Sequence, residues 1–172
     1  MNKPHLLLAK EYWKKHLRAD DFAIDATCGN GHDTLYLSKL LPEGLVYGID
    51  IQQAAIEKTR LHLSEATNVE LFQQSHADPL ALPRPPRLIV YNLGYLPGGN
   101  KALTTMTETT LQSLQLSLSI LAKDGAISVT CYPGHEEGLR EEAQIHNFVK
   151  SLNHVHHRWE RARSPTLFWI IN

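Results

Sequence analysis

Residues 22–34 read FAIDATCGNGHDT, a short apolar run that passes through two closely spaced glycines into a helical pattern. We predict a strand at Phe22–Ala26 and a helix at Asp33–Leu41. Between them, Gly29 and Gly31 allow a tight backbone turn and the close approach of a ligand. A buried strand followed by a glycine turn and a helix is typical of a nucleotide-binding α/β domain.

Short apolar runs alternate with helical patterns along the rest of the chain. Further strands are predicted at Leu45–Ile49, Val69–Phe72, Leu88–Tyr91, Ala126–Thr130, His154–Glu160 and Leu167–Ile171. Apolar strands separated by helices indicate a parallel sheet covered on both faces, and the last two strands, with no helix between them, indicate an antiparallel hairpin. We therefore predict a single domain over residues 1–172 with a Rossmann-like α/β fold. It has a mostly parallel seven-stranded sheet, helices on both faces and an N-terminal helix at about residues 4–18.

An acidic residue, Asp50, ends the second strand 21 residues after Gly29. A carboxylate there can accept hydrogen bonds from both ribose hydroxyls of an adenosine ligand. Thr34 stands where the dinucleotide fingerprint has a third glycine, and a threonine makes less room for a pyrophosphate. S-adenosylmethionine has no pyrophosphate, and the N–H groups at a helix start can hold its carboxylate. The combination favours S-adenosylmethionine as the cofactor, with Gln52 placed to reach its ribose or adenine.

The loop after the fourth strand, residues 92–99, reads NLGYLPGG. Ligands of open parallel sheets bind beyond the carboxyl ends of the strands, where the strand order reverses, so this loop is expected to face the sulfonium. Many enzymes that methylate exocyclic amines carry Asn-Pro-Pro-Tyr here. Asn92 is placed to accept a hydrogen bond from a substrate N–H, and Tyr95 to stack on a base. Positioning dominates methyl transfer, so we predict no metal site.

Two histidines are candidates for proton transfer, because an amine must be neutral to attack a methyl group. His76 follows the third strand and His135 follows the fifth, both on the ligand side of the predicted sheet. Imidazole titrates near neutral pH, which suits a general base. A helix cap or a surface position is the alternative interpretation of each.

Five blocks of the sequence resemble one family in their order and spacing. They are residues 25–34 (DATCGNGHDT), 50–52 (DIQ), 75–76 (SH), 92–99 (NLGYLPGG) and 132–135 (YPGH). The family is the bacterial group labelled rRNA methylases, which includes the tRNA 5-(aminomethyl)-2-thiouridine methyltransferase. The resemblance extends from about residue 4 to about residue 170.

This resemblance implies a class I S-adenosylmethionine-dependent methyltransferase. Its substrate would be the exocyclic amine of 5-aminomethyl-2-thiouridine at the wobble position of a tRNA, bound through the anticodon stem-loop by a homodimer. The cofactor-binding residues that follow from the motifs are Asp25, Gly29, Asn30, Gly31, Asp33, Asp50, Gln52, Ser75 and His76. The residues expected to face the amine as catalytic residues are Asn92, Tyr95 and His135.

Composition limits the remaining possibilities. A net charge of −1 provides no global attraction to nucleic acid, so RNA binding requires local basic surfaces. Such surfaces are predicted in two sets, Lys10, Lys14, Lys15 and Arg18 in the first and Arg158, Trp159, Arg161 and Arg163 in the second. The two cysteines are too few for a disulfide framework, and no apolar run reaches membrane length, which favours a cytoplasmic protein without membrane association.

Three alternatives to the tRNA assignment stay open on the sequence. The first is a methyltransferase that acts on another RNA base, for example in rRNA, or on a small amine. The second is a nicotinamide-dependent Rossmann enzyme, against which Thr34 argues. The third is a cofactor-binding RNA module without catalysis, against which an intact Asn92 loop argues.

Overall fold

The computed structural model describes residues 4–94, 104–160 and 165–172. Within them the helices are α1 (Pro4–His16), α2 (His32–Leu40), α3 (Gln53–His62), α4 (Thr107–Ile120) and α5 (Glu136–Ser151). The strands are β1 (Phe22–Asp25), β2 (Leu45–Asp50), β3 (Val69–Gln73), β4 (Leu88–Asn92), β5 (Ala126–Cys131), β6 (Val155–Trp159) and β7 (Thr166–Ile171). All seven predicted strands are present, and the N-terminal helix ends two residues earlier than predicted. No helix in these ranges is long and apolar enough to cross a membrane.

The strands form one sheet in the order β3-β2-β1-β4-β5-β7-β6. Strands β1 to β5 pair in parallel, whereas β7 is antiparallel to both β5 and β6. The prediction of a mostly parallel sheet with an antiparallel hairpin at one edge is confirmed. Because the strand order reverses between β1 and β4, a crevice for ligands is expected at their carboxyl ends.

Each face of the sheet carries its own apolar core, since successive side chains of a strand point to opposite faces. Ile24, Ile89 and Ile127 belong to a cluster that includes side chains of α4 and α5. Ala23 and Val90 belong to a second cluster that includes side chains of α1 and α2. The central strands β1 and β5 are buried along their whole length, as expected for a sheet covered on both sides.

Helix α1 is anchored to the second face by Ala9 and Trp13, whose side chains are fully buried. Burial of a large apolar side chain contributes roughly 2–3 kcal/mol, which holds a short helix in place. The anchored helix brings the His5 ring to 3.3 Å from the Tyr132 hydroxyl and the Lys10 ammonium to 3.0 Å from the Asp33 carboxylate. Two polar side chains of α1 therefore reach the residues that follow β5 and begin α2.

Candidate active site

The turn between β1 and α2 is built on two glycines in the left-handed region. Gly29 has φ 55° and Gly31 has φ 82°, where other L-residues are strained. A Cβ atom at Gly31 would lie 2.9 Å from the Cα atom of Thr59 in α3. The close packing of α3 against this turn therefore requires glycine at position 31, which explains the predicted motif.

Asp50 lies at the carboxyl end of β2 and is held by two backbone N–H groups. Gly29 N–H donates to its Oδ2 over 3.0 Å, and Gln52 N–H donates to its Oδ1 over 2.9 Å. Burial raises the pKa of Asp50, and the N–H donors oppose that rise by stabilising the charged form. Each oxygen keeps a further lone pair that a ribose hydroxyl can use. The position and the donor set fit an adenosine ligand, and the contact of Asp50 with the cofactor stays a prediction.

Asp25 lies beneath the glycine turn and only 1% of its surface is exposed. Its carboxylate accepts hydrogen bonds from the Thr34 hydroxyl (2.7 Å) and from Thr27 N–H (3.3 Å). Burial and the nearby charge of Asp33 raise its pKa to about 7. The side chain is enclosed by the turn that it supports, and its contact with the cofactor stays a prediction. Thr34, at the third-glycine position, is its hydroxyl partner.

Asn92 is anchored at both its backbone and its amide nitrogen. Its backbone N–H donates to the Thr27 hydroxyl over 2.7 Å, and Nδ2 donates to Asp33 Oδ2 over 2.8 Å. A carboxylate only accepts hydrogen bonds, so Asp33 determines that the amide presents Oδ1 on its other side. This Oδ1 atom is buried and has no hydrogen-bond partner among the described residues. A buried acceptor without a hydrogen bond lowers the stability of the protein by about 1–3 kcal/mol. A ligand N–H that donates to this atom would remove that penalty.

Asp33 contacts two side chains of the site, one through each carboxylate oxygen. Its Oδ1 pairs with Lys10 Nζ at 3.0 Å while its Oδ2 holds the amide of Asn92. Asp33 therefore orients Asn92, and its contact with the cofactor stays a prediction. The same ion pair directs the Lys10 ammonium towards the site, and the place of Lys10 in an RNA-binding surface stays a prediction. Tyr95, which is also predicted to face the substrate, lies outside the described residues.

His135 is the N-cap of α5, where its Nδ1 accepts a hydrogen bond from Gly138 N–H over 3.1 Å. A nitrogen that accepts cannot also carry a proton, so the neutral ring has its proton on Nε2. Protonation of Nδ1 would break the cap. His135 therefore stabilises the start of α5, and its contact with the substrate amine stays a prediction.

His76 lies on the face of the sheet that α4 covers. Its half-buried ring lies 5.8 Å from the ring of Tyr91, and it lines a cavity of about 160 Å³ with Ile24, Ile49 and Ser113. Burial lowers the pKa of His76 to about 4. The ring is neutral at physiological pH and too weak a base to take a proton from an alkylammonium group. Contact between His76 and the adenine stays a prediction.

The other predicted cofactor residues surround the ends of β1, β2 and β3. Ser75 is part of a local turn, in which its hydroxyl accepts from Ala77 N–H over 3.2 Å. The Asn30 carbonyl accepts a hydrogen bond from the His62 ring over 3.3 Å, and Gln52 is the N-cap of α3 without a side-chain cap bond. Their contacts with the cofactor stay predictions.

Some of the buried polar atoms that lack a hydrogen-bond partner among the described residues lie at the edge of the sheet where the cofactor is expected. Gln74 Nε2 and His76 Nδ1, after β3, are buried without a hydrogen-bond partner in the described part of the chain, as is Asn92 Oδ1 after β4. Buried polar groups in native proteins are normally paired, and an unfilled ligand site is one explanation of exceptions. These donors and acceptors fit a polar ligand at the carboxyl ends of the strands.

Three residues of the site were missed by sequence reasoning. Thr27 was quoted within the glycine motif, but its hydrogen bond to Asn92 depends on the pairing of β1 with β4. Tyr132 was quoted within its motif, and its hydroxyl contacts His5 of α1. Lys10 had no local signal for its role. A contact between α1 and α2 is a tertiary contact that the spacing of residues does not encode.

The structure describes only part of the two predicted basic surfaces. Arg158 pairs with Glu142 at 3.6 Å and with Glu160 at 3.0 Å. Lys14 and Lys15 belong to the last turn of α1, far along the helix from His5, which contacts the site. Arg161 and Arg163 lie outside the described residues.

Comparison with known proteins identifies the class. The model of the family described as "Putative rRNA methylase" matches residues 46–165. A structure described as a putative rRNA-methylase from Clostridium thermocellum has a TM-score of 0.93 at 31% identity and covers 99% of this chain and 98% of its own. A putative methyltransferase from Streptococcus mutans, solved in complex with SAH, has a TM-score of 0.88 at 31% identity over 99% of both chains. The chain belongs to this rRNA methylase family.

Its cofactor is S-adenosylmethionine, which removes the nicotinamide alternative. Among curated proteins, the chain is 39% identical over 153 residues to the "tRNA (mnm(5)s(2)U34)-methyltransferase, chloroplastic" of Arabidopsis thaliana. That alignment includes 80% of this chain and 56% of the Arabidopsis protein. A shorter match, 38% identical over 66 residues, is to the ribosomal RNA small subunit methyltransferase H of Thermosipho africanus. This chain therefore spans little more than half the length of the plant relative.

Proposed function

We propose that this chain methylates the exocyclic amine of 5-aminomethyl-2-thiouridine at the wobble position of tRNA. The observation that carries the proposal is the buried Asn92 Oδ1, which is an acceptor without a partner among the described residues and lies at the carboxyl end of β4. A primary amine has N–H groups to donate to this atom and a lone pair to direct elsewhere. The name of the Arabidopsis relative supports the choice of base and position.

The Asn92 acceptor would orient the nitrogen of the amine. When one N–H donates to Oδ1, rotation of the amine is restricted and its lone pair has a defined direction. Bound S-adenosylmethionine supplies a methyl group that its positively charged sulfur activates for in-line displacement. The contribution of the protein is then mainly orientation, for which Thr27 and Asp33 already hold Asn92 at 2.7 and 2.8 Å.

The proton of the substrate ammonium would be released to water before the amine binds. His135 is occupied as a helix cap, and His76, with a pKa of about 4, is a weak base. An aliphatic ammonium has a pKa similar to that of lysine, about 10, so transfer of its proton to His76 is unfavourable by several kcal/mol. Asn92 accepts a hydrogen bond but no proton, so it can orient the amine and does not deprotonate it.

The decisive experiment is methyl transfer with purified components. The substrate is tRNA from cells that lack this gene, the methyl donor is isotopically labelled, and the nucleosides are separated by mass spectrometry. We expect the label in 5-methylaminomethyl-2-thiouridine and loss of the aminomethyl precursor. The Asn92→Ala variant is the matched control and should bind the cofactor normally but transfer slowly. Absence of label from this nucleoside with an active cofactor site would refute the tRNA assignment.

A base in rRNA is the second candidate, favoured by the match to the Thermosipho africanus enzyme over 66 residues. The same assay distinguishes the two when 16S and 23S rRNA replace tRNA as acceptors. Label in rRNA, but not in tRNA, would select this candidate.

The resemblance also implies that the chain is a homodimer and binds the anticodon stem-loop. Both stay part of the proposal. Sedimentation equilibrium of the purified chain tests the first, with a mass of about 39 kDa expected from twice 19.4 kDa. A minimal stem-loop carrying the modified uridine tests the second, since it should be methylated about as well as the whole tRNA.

A further inference from the structure

Glu141 is a buried carboxylate of α5 that has no part in the chemistry described above. Only 2% of its surface is exposed. Its Oε1 accepts a hydrogen bond from the Thr110 hydroxyl over 2.6 Å, and its Oε2 accepts one from the Thr105 hydroxyl over 2.8 Å. Burial of a carboxylate is unfavourable unless hydrogen bonds compensate for the lost water, so these two threonines stabilise its position.

Thr105 connects this carboxylate to the strand that carries Asn92. A hydroxyl has one proton, and because Thr105 donates it to Glu141, the hydroxyl oxygen faces other groups as an acceptor. Gly94 N–H donates to that oxygen over 2.9 Å, and Thr105 N–H donates to the Gly94 carbonyl over 3.0 Å. Glu141 thus sets the polarity of the hydroxyl that binds Gly94, two residues after Asn92.

The backbone from Asn92 to Gly94 is held at each of its three residues. Asn92 N–H donates to the Thr27 hydroxyl over 2.7 Å, and Leu93 N–H donates to the Thr130 carbonyl over 2.9 Å. The bond from Gly94 to Thr105 completes the series. The first bond is to Thr27, which follows β1, and the second is to Thr130 in β5, whereas the third depends on α5 through Glu141. Helix α5 therefore helps to determine the direction in which the chain leaves β4.

We propose that Glu141 and Thr105 are positioning residues for Asn92, acting through the hydrogen bond between the Thr105 hydroxyl and Gly94 N–H. Their role rests on the proposed function, because Asn92 is the residue that meets the substrate. A purely structural role is the competing explanation, in which loss of any hydrogen bond to Glu141 lowers stability and activity together.

Two valine variants separate these explanations. Thr105→Val and Thr110→Val each remove one hydroxyl bond to Glu141, but only the first also removes the bond to Gly94. We expect Thr105→Val to lower kcat about tenfold or more and Thr110→Val by less than about threefold. Cofactor affinity should be unchanged in both, and Thr105→Ser should restore kcat. An equal loss of kcat in both valine variants, or a loss proportional to the fall in Tm, would overturn the proposal.

The role of Glu141 itself is tested by combination. Glu141→Gln replaces one acceptor oxygen with a donor, so one threonine hydroxyl must reorient. We expect this variant to lower kcat, and to lower it no further when Thr105 is already valine, because both changes act through the same bond. Additive losses would refute the connection between Glu141 and Gly94.

A readout without substrate keeps this test independent of the tRNA assignment. Hydrogen exchange of the Gly94 amide reports its bond to the Thr105 hydroxyl directly. Thr105→Val should accelerate this exchange about tenfold or more, while Thr110→Val should leave it nearly unchanged. If wild-type protein does not methylate the modified tRNA, the proposed function fails while the exchange still decides the bond. Unchanged exchange in Thr105→Val would refute the positioning role whatever the substrate.

Discussion

Asp33→Asn is the substitution that most directly tests how the site presents Asn92. The wild-type carboxylate accepts from Lys10 Nζ at 3.0 Å and from Asn92 Nδ2 at 2.8 Å. Asparagine has the same shape but only one oxygen. Lys10, being a cation, should hold that oxygen, so the amide nitrogen of the new side chain faces Asn92. Asn92 must then turn its own Oδ1 towards position 33 and present Nδ2 to the substrate.

The expected loss of kcat follows from the inverted Asn92 amide, which then presents a donor to the substrate amine where the wild-type protein presents an acceptor. Hydrogen bonds to a charged group contribute about 1.5–3 kcal/mol, and each 1.4 kcal/mol is about a factor of ten in rate. The Lys10 and Asp33 side chains are 27% and 15% exposed, so solvent screens their ion pair only in part. We expect Asp33→Asn to lower kcat by roughly 10-fold to 100-fold while the Kd for S-adenosylmethionine stays within about twofold.

A second substitution turns this prediction into a rescue. When Lys10→Met is added to Asp33→Asn, the side-chain oxygen of the introduced asparagine is released from the ammonium and can accept from Asn92 Nδ2 again. The double variant should therefore be more active than Asp33→Asn alone, although Lys10→Met by itself should lower kcat slightly. The assay measures kcat at saturating tRNA and cofactor, with cofactor binding followed by calorimetry. No rescue, or a weakened Kd for the cofactor with unchanged kcat, would refute the reasoning and restore Asp33 to cofactor binding.

Three further predictions follow from the ionisable groups of the site. The pKa of Asp25 is about 7 in the folded state against a usual 3.8, so the free energy of unfolding should fall by up to about 4 kcal/mol as pH rises from about 4 to above 7. Urea unfolding at several pH values should show this dependence weakened in Asp25→Asn, and an identical dependence in both proteins would contradict it. Asp50→Ala should weaken S-adenosylmethionine binding about tenfold or more with a smaller effect on kcat at saturation, as calorimetry and kinetics can measure. His76→Asn should leave the rise of kcat/KM with pH unchanged, because the amine and not this histidine titrates; a lost pH dependence would reinstate His76 as the base.

The order of secondary structure could be predicted from the sequence because its signals are local. Buried strands appear in the sequence as apolar runs, and helices appear as apolar residues spaced three and four positions apart. The turn at Gly29 and Gly31 needs glycine because both residues have a positive φ. The absence of a helix between β6 and β7 likewise indicated their antiparallel pairing. The end of α1 was less well placed, since helix termini depend on capping contacts that no local pattern fixes.

Residue types at the ends of strands also indicated the cofactor. The glycine turn and Asp50 belong to the same β1-α2-β2 unit, so their relative position follows from residues that are close in the sequence. What each polar side chain does was decided by tertiary contacts. Asp25 and Asp33 look equivalent in the motif, yet one is enclosed beneath the turn and the other faces Lys10 and Asn92. Burial differs between the two because one lies on β1 inside the sheet and the other on the first turn of α2.

The glycine turn at residues 29–31 and its acidic partner Asp50 were thus determined by the sequence alone, since backbone sterics and strand order suffice to bring them together. The orientation of Asn92 was decided only by the folded structure. It depends on Lys10 from α1, Asp33 from α2 and Thr27 after β1, which lie up to 82 residues from Asn92 in the chain. Contacts between such distant residues form only when α1 docks on the sheet and β1 pairs with β4, so no local pattern could have indicated them.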